Sequence, residues 1–189
     1  FSANFRPRWL RRSFNTVRVP GATMMTMSVQ EKLSQAATCV DASNFAEAEM
    51  LCKELLALPA ARSHALHIIG VAARKQGRLE EAVDLLAESL AIAPEDSGVQ
   101  FERGVALLDL KRLEEAQRHF ERALAINPSF QEACINICSI LERLDRPEEA
   151  LIWARRAVEM KPDCAIAHFN LGNCLQATSQ VEEAIAAFA

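Results

Sequence analysis

The 189-residue sequence contains no tyrosine, only six glycines and seven prolines, and no long uninterrupted run of apolar residues. Alanine, leucine and glutamate dominate the chain after residue 28. These residues favour helix, whereas strands are enriched in tyrosine and β-branched residues. A membrane-spanning helix needs about 18 or more consecutive apolar residues, but here charged residues interrupt the apolar ones at helical spacing. The composition therefore predicts an all-α protein without a transmembrane segment.

Acidic residues are missing from the first 28 positions, which hold five arginines. The remaining chain has 16 basic and 25 acidic residues, a net charge of −9. Because proteins bind nucleic-acid phosphates through clustered lysine and arginine, the acidic body predicts that nucleic acid is not the partner.

Residues 1–28 form a basic leader that we expect to be disordered. Three explanations stay open. An arginine-rich, acid-free composition is typical of a mitochondrial or plastid transit peptide. Translated upstream sequence is the second, since the chain begins with Phe1 and three methionines lie just before residue 28. A functional basic arm is the third. We predict a cytoplasmic protein, or a mitochondrial or plastid one if the leader is a transit peptide.

The feature that dominates the rest of the chain is a period of 34 residues. The residues that recur at this interval are Ala82, Ala116, Ala150 and Ala184, together with Pro94, Pro128 and Pro162. A unit of this length is one supersecondary element, which buries its apolar face only against its neighbours. The period predicts a solenoid of five helix-turn-helix units over residues 29–189, divided as 29–62, 63–96, 97–130, 131–164 and 165–189.

Each unit is predicted to hold two helices. In the second unit the first helix is expected over Ser63–Gln76 and the second over Leu79–Ile92, ahead of Pro94, because proline restricts the residue before it and ends a helix. Pro59 is assigned to the end of the first unit, one residue early. The fifth unit stops inside its second helix, so we expect the natural chain to continue beyond Ala189.

The turn before each second helix repeats as well, with paired glutamates such as Glu80 and Glu81. Negative charge in the first turn of a helix is stabilised by the helix dipole. We therefore interpret these glutamates as structural rather than catalytic. The sequence contains no glycine-rich phosphate loop, nucleophile elbow or metallopeptidase motif, so we predict no catalytic residue, no cofactor and no enzymatic activity in this part of the chain.

The repeated pattern resembles the tetratricopeptide repeat, whose signature runs from Leu-Gly through Ala and Phe to Pro. The residues that carry the resemblance are Gly104, Ala116, Phe120, Ala123 and Pro128 in the third unit, and Leu171, Gly172, Ala184 and Phe188 in the fifth. The resemblance implies a right-handed α-solenoid whose first helices line a concave groove. The groove positions that it implies correspond here to His64, His67, Arg74, Lys75, Phe101, Glu102, Asn136, Ser139, Arg143, Phe169, Asn170 and Asn173.

The predicted function is a protein-interaction scaffold that holds a peptide segment of a partner protein in this groove. The alternative is the N-terminal recognition arm of a larger transferase. The Leu-Gly and Glu-Glu-Ala motifs of the repeats also resemble those of the arrays that precede bacterial glycosyl- and sulfotransferase domains. In that case the catalytic domain would follow Ala189.

The six cysteines are interpreted as reduced packing residues of an intracellular protein. Cys39, Cys52, Cys134 and Cys138 fall on small-residue positions of the repeat, where a free cysteine behaves as a compact hydrophobe. Cys134 and Cys138 lie one helical turn apart, but the sequence offers no third ligand at finger-like spacing. His64 and His67 also lack a neighbouring ligand, so no metal site is predicted.

Overall fold

The computed structural model describes residues 27–188, and every regular element within that range is an α-helix. The ten helices are α1 Val29–Asp41, α2 Phe45–Leu55, α3 Pro59–Lys75, α4 Leu79–Ile92, α5 Ser97–Asp109, α6 Leu113–Ile126, α7 Gln131–Arg143, α8 Pro147–Met160, α9 Ala165–Ala177 and α10 Val181–Phe188. The predicted all-α solenoid of tandem helix-turn-helix repeats is confirmed. The leader prediction falls on residues 1–26, which lie outside the described range, and on two residues beside α1.

The chain divides into two compact units at Pro94. In the first unit α1 packs on α2 and α3, and α3 packs on α2 and α4. Ser28 caps α1 by accepting from the Glu31 backbone amide, while the Glu31 carboxylate accepts from the Ser28 backbone amide. This capping box satisfies amide groups that have no partner inside the helix.

The start of α3 differs from the sequence prediction. The helix begins at Pro59 rather than Ser63, and Pro59 occupies its first turn. The assignment of Pro59 to the end of the preceding unit is therefore wrong. A proline cannot continue a preceding helix, but it is well tolerated at the first position of a new helix, where its missing N–H would have no partner in any case. The second predicted helix, Leu79–Ile92, is confirmed.

In the second unit α5 packs on α6, α7 on α8, and α9 on α10. These pairs join through contacts of α6 with α7, α8 with α9, and α7 with α9. Among residues 27–188, none of the helices combines the length and apolar character that crossing a bilayer requires.

A left-handed residue closes the first helix of every repeat. Within residues 27–188, the residues with positive φ are Ser43, Gly77, Lys111, Asp145 and Ser179, which follow the same 34-residue interval. At the third of these turns the Lys111 amide donates to the Leu108 carbonyl and the Arg112 amide to the Leu107 carbonyl. This arrangement satisfies carbonyl groups at the end of α5. Only Gly77 has the residue type that adopts this conformation without strain.

The repeated glutamates have the structural role that their position predicts. Glu81, Glu115 and Glu149 accept hydrogen bonds from Arg78, Arg112 and Arg146, respectively, three residues earlier. At Glu149 both carboxylate oxygens accept from one guanidinium group at 2.6 Å. Each pair joins the turn to the first residues of a second helix, so these carboxylates serve the fold.

Close helix contact within a repeat depends on a residue of the first helix that faces a large residue of the second. An ideal Cβ at Gly104 would lie 2.7 Å from Cε1 of the fully buried Phe120, well inside contact distance. Gly70 faces Leu86 and Gly172 faces Phe188 in the same way. In the fourth repeat the same two positions hold Cys138 on α7 and Ala154 on α8, and both are fully buried. In this repeat the larger side chain is therefore on the first helix and the smaller one is on the second helix.

Candidate functional site

The predicted groove residues lie on α3 in the first compact unit and on α5, α7 and α9 in the second. In the first unit His64 and Arg74 are half-buried, whereas His67 is only 3% exposed and belongs to the interior. Lys75 is exposed and its ammonium group pairs with the Asp41 carboxylate at 3.2 Å. The positive charge of Lys75 is thus partly neutralised within the protein.

The two groove candidates on α5 are occupied by internal packing. Phe101 stacks on Phe130 with ring centroids 4.7 Å apart and tilts against Phe120 at 5.4 Å. Glu102 is 9% exposed. Both residues therefore offer little free surface to a bound partner.

The candidates on α7 and α9 have a different environment. Asn136 and Ser139 are half-buried and Arg143 is exposed on α7, while Phe169 on α9 is 58% exposed. Asn136 and Asn170 occupy equivalent positions of successive repeats, 34 residues apart, on two helices that contact each other. We call the helix surface that carries Asn136, Phe169, Asn170 and the half-buried Asn173 the asparagine face.

Asn170 is the residue of the asparagine face with an unmet hydrogen-bonding requirement. Its side chain is 7% exposed, and its Nδ2 atom has no hydrogen-bond partner among the described residues. A buried polar group without a partner costs about 1–3 kcal/mol. Register alone places Asn170 on the face, but only the packed structure shows that its amide donor is unsatisfied.

The cysteines occupy the packing positions that the sequence predicts for them. Cys39, Cys52, Cys134 and Cys138 are buried, and all six cysteines are free thiols. Burial raises the pKa of Cys52 to about 12 and that of Cys134 to about 11. A thiol with such a pKa is protonated at neutral pH and unreactive.

The structure also brings together a group that the sequence analysis missed. The Sγ atoms of Cys138 and Cys174 lie 3.4 Å apart, and Cys174 Sγ donates to Glu142 Oε1 over 3.4 Å. We call these three residues the thiol-carboxylate cluster. Finger-like spacing could not identify it, because Cys138 and Cys174 are 36 residues apart on the first helices of neighbouring repeats. The repeat register does place them at adjacent levels of two touching helices.

Comparison with known families agrees with the helical pairs. Models of the tetratricopeptide repeat match residues 34–97, 97–130 and 141–189. The chain belongs to the tetratricopeptide repeat family. Membership of this family supports a role for the chain as a protein-interaction scaffold, which agrees with the predicted class of function. The alternative role as the arm of a transferase stays a prediction.

Solved structures of MamA share the fold. A crystal structure of MamA has a TM-score of 0.73 at 15% identity, covering 87% of this chain and 92% of its own. MamA 41-end from Desulfovibrio magneticus RS-1 has a TM-score of 0.74 at 19% identity, covering 87% and 93%. MamA from AMB-1 has a TM-score of 0.71 at 21% identity, covering 83% and 93%. No curated protein sequence matches the chain. Identities this low relate the fold alone.

Proposed function

We propose that this tetratricopeptide protein is a non-enzymatic scaffold that binds an extended peptide segment of a partner protein on the asparagine face. The observation that carries the proposal is the buried Nδ2 atom of Asn170, which lacks a partner among the described residues. A side-chain amide both donates and accepts hydrogen bonds. Because the Nδ2 atom is buried in the free protein, the side chain must rotate toward the surface on binding; it can then pair with the carbonyl and amide groups of a peptide backbone.

The surroundings of Asn170 support a peptide rather than a small polar ligand. Phe169 and Ile166 on α9 are 58% and 61% exposed, so apolar side chains of a peptide can cover them. Asn136 lies at the equivalent position of α7 and provides a second amide one repeat away. Two amides at the spacing of adjacent helices, beside exposed apolar surface, suit a guest with regularly spaced backbone groups.

The binding test is selection from a random peptide library, followed by fluorescence polarisation with the selected peptides. Asn136→Ala combined with Asn170→Ala should weaken binding about fivefold or more, because two hydrogen bonds contribute roughly 1–3 kcal/mol together. The matched control is Asn44→Ala combined with Asn127→Ala, which removes two asparagines located outside the asparagine face and should leave the affinity unchanged.

A stability measurement separates binding from folding. Because Asn170 Nδ2 has no partner within residues 27–188, Asn170→Ala should keep or raise the free energy of unfolding while it lowers peptide affinity. If the selected peptides bind the double variant as well as they bind the wild type, the placement of the site is wrong. If no peptide is enriched, the binding function itself is contradicted.

We also place this function in a reducing compartment such as the cytoplasm. The support is the set of free cysteines, five of which are buried within the repeats. Free buried thiols are typical of proteins that remain in a reducing environment. The mitochondrial or plastid alternative depends on the leader, most of which lies outside the described residues.

A further inference from the structure

Three metal-ligating side chains meet where α7 contacts α9. Cys138 and Glu142 are one helical turn apart on α7, so their side chains lie on the same side of the helix, and Cys174 reaches them from α9. Their ligand atoms all lie within 4.8 Å of one another. Both sulfur atoms belong to fully buried residues, while Glu142 is half-buried.

Two of the three separations between the ligand atoms are close to those of a metal-binding site. In a tetrahedral zinc site with Zn–S bonds of about 2.3 Å and Zn–O bonds of about 2.0–2.2 Å, neighbouring ligand atoms lie about 3.5–3.8 Å apart. The Sγ–Sγ and Sγ–Oε1 separations are both 3.4 Å. We propose that the thiol-carboxylate cluster binds a thiophilic divalent metal ion of the Zn²⁺ type, with water as the fourth ligand.

The ligand set selects the class of metal. Two sulfur ligands favour Zn²⁺, Co²⁺ or Cd²⁺, whereas Mg²⁺ and Ca²⁺ prefer oxygen ligands. On binding, two S–H bonds break, two metal–sulfur bonds form, and both protons pass to water. The dipositive ion then offsets two of the three negative charges carried by the two thiolates and the carboxylate, which would be costly to bury as unpaired charges.

A disulfide between the two cysteines fits the structure less well. The sulfur atoms are 3.4 Å apart, compared with about 2.05 Å in a disulfide. A metal ion can instead bind with shifts of a few tenths of an ångström.

The test is titration of the full, reduced 189-residue chain with Co²⁺, whose thiolate complexes have a charge-transfer band in the near ultraviolet. We expect one Co²⁺ per chain and displacement by Zn²⁺. Cys138→Ala and Cys174→Ala should abolish the band, and Glu142→Gln should weaken binding about tenfold or more. Cys134→Ala is the matched control. It removes a buried cysteine one turn from Cys138 on α7 and should leave the band intact.

The inference is independent of the peptide proposal and fails on different results. It is overturned if no thiolate band forms, if the band survives in either Cys138→Ala or Cys174→Ala, or if mass spectrometry of the protein purified without reductant shows a Cys138–Cys174 disulfide. X-ray absorption of the Zn²⁺-loaded wild type keeps the test decisive where a cysteine variant fails to fold. It should count two sulfur ligands, and any other number contradicts the site.

Discussion

The contact between Gly104 and Phe120 yields a quantitative prediction about how the two helices of a repeat fit together. In the fourth repeat the corresponding residues are Cys138 and Ala154, so Gly104→Cys combined with Phe120→Ala transfers that pair into the third repeat. A Cβ at position 104 would be 2.7 Å from Phe120 Cε1, about 1 Å inside the preferred carbon–carbon distance. The buried ring cannot swing away, because it also contacts Phe101.

The single substitutions should both destabilise the protein. Overpacking costs about 1–3 kcal/mol, so Gly104→Cys should lower the free energy of unfolding by roughly that amount, less about 0.3 kcal/mol gained in helix propensity. Phe120→Ala leaves a cavity and should cost about 3–5 kcal/mol. In the double variant the cysteine side chain enters the cavity. The combined cost should therefore be smaller than the sum by about 1–3 kcal/mol.

Urea denaturation followed by far-UV circular dichroism measures this coupling. The matched control is Gly70→Cys combined with Phe120→Ala, because Gly70 faces Leu86 in another repeat, and its two effects should add. A coupling energy for the Gly104 pair no larger than that of the control would refute the argument that volume is shared between the two helices.

Two further predictions concern a turn and a half-buried histidine. Lys111 has a φ of 62°, so Lys111→Gly should raise the free energy of unfolding by about 0.5–1 kcal/mol, whereas Gly77→Ala should lower it. Urea denaturation measures both changes, and a lower free energy of unfolding for Lys111→Gly would contradict the prediction. Burial, then Arg103 and Arg118, lower the pKa of His119 to about 4. Protonation therefore favours unfolding, and stability present above about pH 6.5 is lost as the pH falls toward 4. From pH 7 to 5 the wild type should lose about 2 kcal/mol more than His119→Gln; equal losses would exclude the mechanism.

The 34-residue period predicts the bounds of a helix correctly where a proline or a repeated turn is compatible with only one local structure. It places α4 correctly, because Pro94 follows that helix and cannot continue it. It misplaces the start of α3, because Pro59 is compatible both with the end of one helix and with the first turn of the next. The left-handed turns at Ser43 and Lys111 are also hidden, since neither residue type marks a positive φ.

The candidate site is likewise only partly predictable from the sequence. Register places Asn136 and Asn170 on equivalent positions, but hydrogen-bond satisfaction depends on the packed neighbours and is invisible in the sequence. Register also makes His67 a groove candidate, although packing buries it. The thiol-carboxylate cluster escapes a search by spacing because Cys174 is two residues out of phase with the repeat relative to Cys138.

The inverted pair at Cys138 and Ala154 bears on how such a chain can be recombined. A second helix with a phenylalanine at the contact position would meet the cysteine side chain of α7, whereas α8 beside a glycine-bearing first helix would leave a void. Neither α7 nor α8 can therefore be swapped singly for its counterpart in another repeat. The smallest module that can be duplicated, deleted or grafted without loss of fit is the complete helix pair.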